Sequence, residues 1–537
     1  MFLPFQNDII PIDMIIIVIL FILIFNIFPI FYGIFSSIYI NNSFSFSALF
    51  QTLGAKYFYI SLLITILYAL FSAFISTYVS LYISKLIKFN KFAFIFLVIG
   101  WTIPPYIGVP VWRTFFEKYT DIYINPITSF ISATLISSWF LIPFTSFFLY
   151  TFSETQNKKY LESFLLESNK TDIYYKKIVV PNIKGAIYSA FIFNFLKAFK
   201  DFQVPWLLTE GGAPLSFGIT DKGIIGATTN LEVLIYKLFN FESDISQVSS
   251  ISLLTILIIT SVYFLSSKLN LKIKMNISYF SKTLSYLWIF SIIYFFYILL
   301  TLAFSDSQSI YLKGSFTLKN FKYILDDGIV KSFSNTLLIS IITSLLSIIL
   351  SMYFAYFLLN IKNGENILNF FNFLKIFSGL HIIIFIFYIY SKLRLLNTFT
   401  SVILMLVAKN LPFLSLLSYH YFKNFPEDLF LLAKLDNIPK NTFFFKILLP
   451  NSFSLVSSLF LLSTLNSFNA FLPPLVFLFD ESKYTLSIKL YSYVGAASTH
   501  YPLWNLFGGA SFATFLILLI LTFLLLKISK ISYIKYL

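Results

Sequence analysis

Long, uninterrupted apolar runs are the feature that most constrains the fold of this 537-residue chain. They recur through the whole sequence, and several reach the roughly 20 apolar residues that a helix needs to cross a bilayer. In lipid, every backbone N–H and C=O must be paired internally, which leaves helices or a closed barrel. Barrel strands would alternate apolar and polar residues, and these runs do not. The sequence therefore predicts an all-α polytopic membrane protein.

About twelve membrane-spanning helices are predicted, six in each half of the chain. In the first half they lie near residues 14–32, 57–84, 92–112, 127–150, 182–200 and 248–266. In the second half they lie near 284–304, 332–360, 367–391, 399–420, 451–475 and 503–526. Only 11% of the residues are charged, which is too few to solvate the surface of a soluble domain of this length. The first run has acidic flanks and no small-residue cleavage site, so we interpret it as a retained helix.

Lysines concentrate in alternate loops, and this bias predicts the orientation of the chain. They follow predicted helices two, four, six and ten and also end the sequence, as in Lys85, Lys88, Lys176, Lys177, Lys268, Lys272, Lys434, Lys446, Lys527 and Lys530. The positive-inside rule makes these loops cytoplasmic, which places both termini in the cytoplasm. The same bias accounts for the net charge of +15. We therefore expect no nucleic-acid partner.

Two stretches in predicted cytoplasmic loops match each other in register. The first runs from Leu161 to Asn182 and the second from Phe430 to Asn451. Each has an acidic residue beside a small polar one, then aromatic and basic residues, then a hydrophobic triplet closed by Pro-Asn. The closing prolines, Pro181 and Pro450, are 269 residues apart, which is half of the chain. The sequence therefore contains an internal repeat.

The repeat continues into the helix after each stretch and predicts two domains. Its matched pairs are Leu196 with Leu465, Phe199 with Phe468, Phe202 with Phe471 and Pro205 with Pro474. Six helices per half is an even number, so both halves insert in the same orientation, as parallel repeats. We predict domains at 1–275 and 276–537. Apolar residues at helical spacing predict a short cytoplasmic helix in each domain, near 160–178 and 427–446.

The repeated stretch resembles the coupling-helix signature of type I ABC importer permeases: Glu-Ala-Ala, three residues, Gly, and then Ile-x-Leu-Pro. The residues that fall on this signature are Glu162, Ser163, Glu167, Ser168 and Pro181 in the first copy, and Ala433, Asp436, Asn437 and Pro450 in the second. The Gly positions hold Ser168 and Asn437, and Leu431 replaces the Glu of the second copy. In that family the helix sits in a cleft of the ATP-binding subunit. The resemblance thus implies that these residues couple the chain to an ATPase.

Further motifs resemble the carbohydrate-uptake branch of these permeases. In the first half they are Thr102-Ile103-Pro104-Pro105, Val111-Trp112-Arg113 and Leu208-Thr209-Glu210-Gly211-Gly212-Ala213-Pro214. In the second half they are Phe316-Thr317-Leu318-Lys319-Asn320-Phe321, Leu395-Leu396-Asn397-Thr398, Ser467-Phe468-Asn469-Ala470-Phe471-Leu472-Pro473 and Tyr484-Thr485-Leu486. Their order implies that the two permease subunits of a maltose- or glycerol-phosphate-type importer are fused in one chain. The implied substrate is a sugar or an oligosaccharide.

The resemblance also implies the partners and the location of the chain. ATP-binding ABC subunits would dock on the cytoplasmic side and bind ATP and Mg, and an extracytoplasmic solute-binding protein would deliver the substrate. The lipid bilayer would be the cytoplasmic (inner) membrane of a prokaryote. The sequence has no Gly-Lys-Ser/Thr phosphate loop and no evident catalytic constellation, so we expect a pore-forming subunit with no cofactor of its own and not an enzyme. With no Cys and only three scattered histidines, we expect no metal site.

Polar and aromatic residues at the predicted outer helix ends are candidates for the substrate path: Trp101, Lys200, Asp201, Trp206 and Asn469. Polar groups inside a bundle often line a path, but snorkelling lysines and an interfacial aromatic belt produce the same pattern. Two other functions stay open. One is a fused ABC permease for ferric iron, thiamine or another small solute. The other is an ion-coupled secondary transporter, which predicts more carboxylates within the spans than we find.

Overall fold

We analysed the fold in a computed structural model of the chain. The structure describes residues 12–40, 43–154, 171–241, 245–268, 279–312, 314–495 and 502–534. Most of these residues are helical. The strands within them form two short antiparallel hairpins, Tyr39–Ile40 with Ser43–Phe44 and Pro214–Thr220 with Gly223–Gly226. The predicted all-α fold class is confirmed.

The helices follow the order of the predicted spans. Those in the first half are Ile12–Ile22, Phe28–Ile38, Ser47–Gly54, Lys56–Phe89, Lys91–Thr102, Pro105–Tyr119, Pro126–Glu154, Thr171–Tyr174, Val180–Asn182, Lys184–Phe199, Gln203–Thr209, Leu231–Phe241 and Ile245–Lys268. Those in the second half are Tyr279–Ala303, Lys319–Asp326, Ile329–Leu359, Gly364–Leu374, Leu380–Lys392, Phe399–Lys423, Glu427–Leu435, Lys440–Phe443, Leu449–Asn451, Phe453–Phe468, Leu472–Phe477, Leu486–Val494 and Trp504–Ile534. Single π-helical turns occur at Leu23–Ile27, Tyr175–Val179 and Phe444–Leu448, and 3-10 turns at Lys375–Phe377 and Glu481–Lys483.

Eight helices of the described chain are long and apolar enough to cross a membrane, and up to eleven spans result if each sharply bent pair counts as one. The bent pairs are Phe92–Thr102 with Pro105–Tyr119 (98°), Tyr175–Asn182 with Lys184–Phe199 (67°), and Lys440–Asn451 with Phe453–Phe468 (79°). The predicted span near 367–391 is divided between Gly364–Leu374 and Leu380–Lys392, which have 11 and 13 residues. This division accounts for the difference from the twelve predicted spans.

Prolines explain the sharpest of these bends. Ile103 and Pro104 are extended, with ψ of 114° and 145°, and each precedes a proline. The ring of a proline clashes with a helical conformation at the residue before it. Pro104 and Pro105 therefore end one helix and begin the next within the same predicted span.

The described residues group into two compact units. The 46–324 unit comprises the described residues of 46–324 and 490–516, and the 325–489 unit comprises those of 1–45, 325–489 and 517–537. This grouping differs from the division of the sequence at 275/276. The domains 1–275 and 276–537 remain a prediction about the sequence repeat, whereas packing assigns the first and the seventh predicted helix differently.

In the 46–324 unit, the helix Tyr279–Ala303 packs on helices of the first half. The Trp139 indole N–H donates to Ser291 Oγ at 2.8 Å. Deeper in the unit, the fully buried Asn194 amide donates to Ser76 Oγ at 2.9 Å and accepts from Thr145 Oγ1 at 2.9 Å. Burial of an amide is costly unless its groups are paired. This network therefore fixes how helices Lys56–Phe89, Pro126–Glu154 and Lys184–Phe199 cross.

The 325–489 unit has a similar polar centre. Its buried Asn410 amide donates to Ser463 Oγ at 3.1 Å and accepts from the Asn466 amide at 2.7 Å. The N-terminal helices pack on Leu380–Lys392, where the ring of Tyr32 lies 6.4 Å from that of Tyr388. A Cβ on Gly33 would overlap the ring of Phe385, so this contact requires a glycine.

Candidate functional site

The two matching stretches share their backbone structure wherever both are described. We call residues 161–182 the first docking segment and residues 430–451 the second. The equivalent elements are Thr171–Tyr174 and Lys440–Phe443, the π turns Tyr175–Val179 and Phe444–Leu448, and Val180–Asn182 and Leu449–Asn451. Each pair is offset by the same 269 residues as the closing prolines. The sequence repeat is therefore also a structural repeat.

A proline follows each π-helical turn and explains it. The Val180 N–H bonds to the Tyr175 carbonyl five residues earlier, and the Leu449 N–H bonds to the Phe444 carbonyl in the same way. Proline has no N–H and crowds the carbonyl four residues before it, and a wider turn accommodates that crowding. The Pro-Asn closure thus sets the local geometry just before the bend into the next helix.

The aromatic residues of the docking segments are buried anchors. Tyr174 and Tyr175 are fully buried, and the Tyr175 hydroxyl lies 2.7 Å from Ser84 Oγ on the helix Lys56–Phe89. At the equivalent positions, Phe443 and Phe444 are also fully buried. The lysines that follow these pairs, Lys176, Lys177 and Lys446, are exposed. The aromatic pair therefore fixes each segment to the long helices of its own unit.

Phe444 makes the corresponding contact in the second segment. Its ring lies edge-on to that of Tyr353, with 5.2 Å between the centroids. The Tyr353 hydroxyl in turn donates to Asn441 Oδ1 at 3.1 Å. Each segment thus forms a hydrogen bond with the long helix of its own unit, although the residues that form it differ.

The short helix Glu427–Leu435 presents an apolar surface away from the bundle. Three of its four leucines, Leu431, Leu432 and Leu435, are 56%, 54% and 75% exposed. On the opposite side, Phe430 is buried and its ring lies 5.2 Å from that of Phe443. One face of this helix is therefore anchored, and the other is open to a partner.

The end of this helix explains why Asn437 can stand at the Gly position of the coupling signature. Asn437 is left-handed, with φ of 50°, and the Ile438 N–H bonds to the Ala433 carbonyl at 2.9 Å. This is the pattern of a Schellman cap, whose left-handed residue is usually Gly and sometimes Asn. The departure from the signature therefore preserves its backbone geometry.

The predicted coupling residues have different surroundings. Glu162, Ser163, Glu167 and Ser168 lie outside the described residues. Pro181, Pro450, Asp436 and Asn437 are exposed, whereas Ala433 is 2% exposed and packs against the bundle. In the described part of the signature, the helix end and the Pro-Asn closures are accessible.

Two predicted path residues, Asp201 and Trp206, follow the end of the helix Lys184–Phe199. Asp201 Oδ2 accepts from the Tyr68 hydroxyl at 2.7 Å, and its Oδ1 accepts from the Val204 N–H at 3.3 Å. Asp201 thereby caps the short helix Gln203–Thr209, which carries Trp206. The Trp206 indole N–H donates to the Tyr491 hydroxyl at 3.1 Å.

The other path candidates have different environments. Trp101 is 47% exposed and stacks on Phe147, with 6.4 Å between the ring centroids. Lys200 is half-buried where the helix Lys184–Phe199 ends. Asn469 occupies the equivalent helix end in the 325–489 unit. Their role as path residues stays a prediction.

The Leu208–Pro214 motif is a tight turn that holds the hairpin Pro214–Gly226. Gly211 and Gly212 are left-handed, with φ of 110° and 87°. The Gly211 carbonyl accepts from the Thr228 N–H at 3.0 Å, and the hydroxyls of Thr209 and Thr228 lie 2.8 Å apart. A Cβ on Gly226 would come within 2.5 Å of the Gly211 and Gly212 carbonyl oxygens. The glycines therefore permit close backbone contact at the base of the hairpin.

Sequence reasoning missed an ion-pair cluster in the 325–489 unit. The buried Lys489 ammonium lies 2.9 Å from Asp327 Oδ2 and 2.8 Å from Glu481 Oε1. These residues come from three separate segments of the chain. No local motif marks them, although Lys489 is the one charged residue of the helix Leu486–Val494, a feature that could have drawn attention.

The two structural repeats coincide with two matches to one protein family. The sequence matches the family described as "Binding-protein-dependent transport system inner membrane component" over residues 70–275 and 367–532. The chain belongs to this family. Each match contains one docking segment, so the predicted arrangement of two permease repeats is confirmed. Family membership assigns the chain to the multi-pass inner-membrane part of a transport system and not to an enzyme class.

Several curated relatives are named as permease proteins of systems that transport sugars or sugar-containing compounds. The arabinooligosaccharides transport system permease protein AraQ of Halalkalibacterium halodurans is 32% identical over 181 residues, which are 33% of this chain and 64% of that protein. The sulfoquinovosyl glycerol transport system permease protein SmoH of Agrobacterium fabrum is 27% identical over 190 residues, or 35% and 67%. The trehalose/maltose transport system permease protein MalF of Thermococcus litoralis is 22% identical over 180 residues, or 31% and 57%. The chain thus spans just under two thirds of the arabinooligosaccharide permease.

Proposed function

We propose that this chain is the transmembrane permease of an ATP-driven ABC importer for a sugar or an oligosaccharide. The observation that carries the proposal is the exposed apolar face of the second docking segment, formed by Leu431, Leu432 and Leu435. Three leucines grouped on one short helix, next to anchored aromatics, are typical of an interaction surface. Membership of a binding-protein-dependent transport family supports ATP-binding ABC subunits as the partner.

The remaining partners follow from the same assignment. An extracytoplasmic solute-binding protein delivers the substrate to the side opposite the docking segments. ATP and Mg bind to the ATPase subunits, and this chain holds no cofactor of its own. The lysine-rich loops and both termini face the cytoplasm. The chain is surrounded by the lipid of a prokaryotic inner membrane.

The anchored docking segments suggest how ATPase movement reaches the membrane helices. The second segment continues through a 79° bend into Phe453–Phe468, and the first through a 67° bend into Lys184–Phe199. Because Phe443, Phe444, Tyr174 and Tyr175 are buried between long helices, a push on either segment moves its helix bundle and not only a loop. ATP-driven closure and receptor binding then shift one equilibrium between inward-open and outward-open states.

The substrate class is supported by the names of the relatives. These proteins belong to systems for arabinooligosaccharides, sulfoquinovosyl glycerol, trehalose or maltose, and diacetylchitobiose. All of these compounds are sugars or carry a sugar group. They favour a carbohydrate over ferric iron, thiamine or another small solute.

Reconstitution tests the proposal. The chain is placed in proteoliposomes with candidate ATPase subunits and the cognate binding protein, and ATP hydrolysis and uptake of radiolabelled sugar are measured. We expect sugar-loaded binding protein to stimulate both. Failure of any ATPase to associate, or uptake driven by an ion gradient without ATP, would overturn the permease assignment. A binding protein that carries iron or thiamine would overturn the sugar assignment.

A further inference from the structure

A cavity of about 360 Å³ opens in the 46–324 unit, beyond the end of the helix Lys184–Phe199. Small-molecule pockets in proteins typically measure about 300–1,000 Å³. Three elements contribute to its lining: Gln203–Thr209 supplies Trp206, the hairpin supplies Lys222 and Ile224, and Leu231–Phe241 supplies Lys237 and Leu238. Glu210 lies between the first two elements.

The cavity has a defined shape because its hairpin wall is held at its base. Gly226 contacts the Gly211–Gly212 turn so closely that a Cβ would not fit. The Thr229 hydroxyl donates to the Gly211 carbonyl at 3.0 Å and accepts from the Gly226 N–H at 3.1 Å. The hairpin is therefore attached to the turn that carries Glu210.

Trp206 forms an immobilised aromatic wall. Its indole ring stacks on Phe202, with 5.5 Å between centroids, and meets the edge of Tyr236 at 4.7 Å. The hydrogen bond to the Tyr491 hydroxyl fixes its polar edge. A ring held on several sides loses little conformational entropy when a ligand packs against it.

The charged lining groups include both signs. Lys237 is largely buried, and its ammonium lies over the Gly211 turn, where a Cβ would come within 2.5 Å of Nζ. Burial lowers the pKa of Lys237, and the neighbouring Glu210 carboxylate acts in the opposite direction. The ammonium can only donate hydrogen bonds and the carboxylate can only accept them. A ligand rich in hydroxyl groups can accept a hydrogen bond from the ammonium and donate one to the carboxylate.

We infer that this cavity is a subsite for one unit of a neutral carbohydrate. Sugar hydroxyls would accept from Lys237 and donate to Glu210, while the C–H face of the ring would pack against Trp206 and Leu238. This inference rests on the proposed function, because it takes the transported substrate to be a sugar. It adds a site on the substrate's route, beyond the end of the helix Lys184–Phe199 that lies away from the first docking segment.

Binding to the purified chain tests the subsite. The full chain in lipid nanodiscs is titrated calorimetrically with arabinotriose and with maltotriose. We expect Lys237→Met and Glu210→Gln each to weaken binding of the preferred sugar about tenfold, the effect of losing one charged hydrogen bond. Lys118→Met, which removes an exposed lysine of the same unit that does not line the cavity, is expected to leave affinity unchanged. Equal affinities in all variants would overturn the subsite, and so would a wild-type chain that binds neither sugar.

Further measurements make the result decisive. Leu238→Phe fills the cavity without removing a charge, and we expect it to weaken binding by a similar factor. Monodisperse elution and unchanged thermal unfolding show which variants are folded. If the chain binds trigalacturonate, an acidic sugar, more tightly than both neutral sugars, the assignment of the subsite to neutral carbohydrates is wrong.

Sugar uptake by the reconstituted transporter, measured in parallel, separates the two proposals. Uptake that the cavity variants do not affect overturns the subsite alone. No uptake by the wild-type chain overturns the proposed function.

Discussion

The side-chain amide of Asn397 donates a hydrogen bond to Asp480 Oδ2 at 2.6 Å, joining residues 83 positions apart in the chain. The Asn397 amide oxygen accepts from the Phe479 N–H at 3.1 Å, and its backbone carbonyl accepts from Lys483 Nζ at 2.9 Å. Asn397 is left-handed, with φ of 59°. The Leu395–Thr398 motif therefore holds the loop before the helix Leu486–Val494 in place.

Substitution of Asn397 separates the side-chain clamp from the backbone requirement. Asn397→Gly removes the side-chain hydrogen bonds, but glycine tolerates positive φ. Asn397→Ala removes the same hydrogen bonds and also lowers the stability of the fold by about 1 kcal/mol, because alanine is strained in the left-handed conformation. We expect both variants to have a lower Tm in detergent, with alanine the lower. Equal Tm values for the two variants would contradict the proposed backbone requirement.

Removing one docking leucine should weaken association with the ATPase. Burial of a leucine contributes about 1.5–3 kcal/mol, so we expect Leu435→Ser to raise the Kd for the ATPase subunits at least about tenfold, measured by interferometry. Leu393→Ser is the matched control, since Leu393 is also exposed but lies outside the docking segment. Similar losses in both variants would indicate a general effect on the fold.

The left-handed cap at Asn437 should accept glycine. We expect Asn437→Gly to retain substrate-stimulated ATP hydrolysis, because glycine adopts φ of about 50° without strain. Asn437→Val should reduce coupling and lower the Tm, because a β-branched residue is strongly disfavoured there. If the Asn437→Val variant retains as much substrate-stimulated ATP hydrolysis as Asn437→Gly, the cap geometry does not control docking.

The aromatic anchors should differ in their tolerance of substitution. Tyr175→Phe loses the hydrogen bond to Ser84, whose hydroxyl also bonds to the Leu81 carbonyl at 2.9 Å, so we expect a loss of about 1 kcal/mol in stability. Tyr175→Ala leaves a cavity and should cost about 3–5 kcal/mol. Thermal unfolding measures both. The second segment already has Phe444 at the equivalent position, so phenylalanine should be tolerated. Near-equal losses of stability in Tyr175→Phe and Tyr175→Ala would contradict the anchoring role.

The two docking segments should contribute unequally to coupling. Only the first has the signature Glu, Glu162, at the position where the second has Leu431. We expect Glu162→Ala to reduce substrate-stimulated ATP hydrolysis more than Asp436→Ala does, with basal hydrolysis as the internal reference. Equal reductions would argue against this asymmetry.

Helix positions were predictable because their cause is local. The predicted spans at 57–84 and 332–360 correspond to helices Lys56–Phe89 and Ile329–Leu359, since bilayer thickness sets the length of an apolar run. The bend after Pro181 and its repeat after Pro450 were likewise marked by prolines. The aromatic pairs of the docking segments were visible in the sequence. Their burial was not, because the sequence does not distinguish an exposed aromatic residue from a buried one.

Contacts between distant segments are visible only in the folded chain. The helical class, the repeat and the two matching stretches follow from the sequence, because run length, proline positions and residue spacing act over a few residues. The sequence did not indicate that Asn397 pairs with Asp480, that Lys489 joins Asp327 and Glu481, or that Trp206 faces a cavity behind the hairpin. Those contacts join residues far apart in the chain. They depend on how apolar helices pack in three dimensions. The hydropathy pattern of the sequence does not predict these contacts, because it is compatible with many such packings.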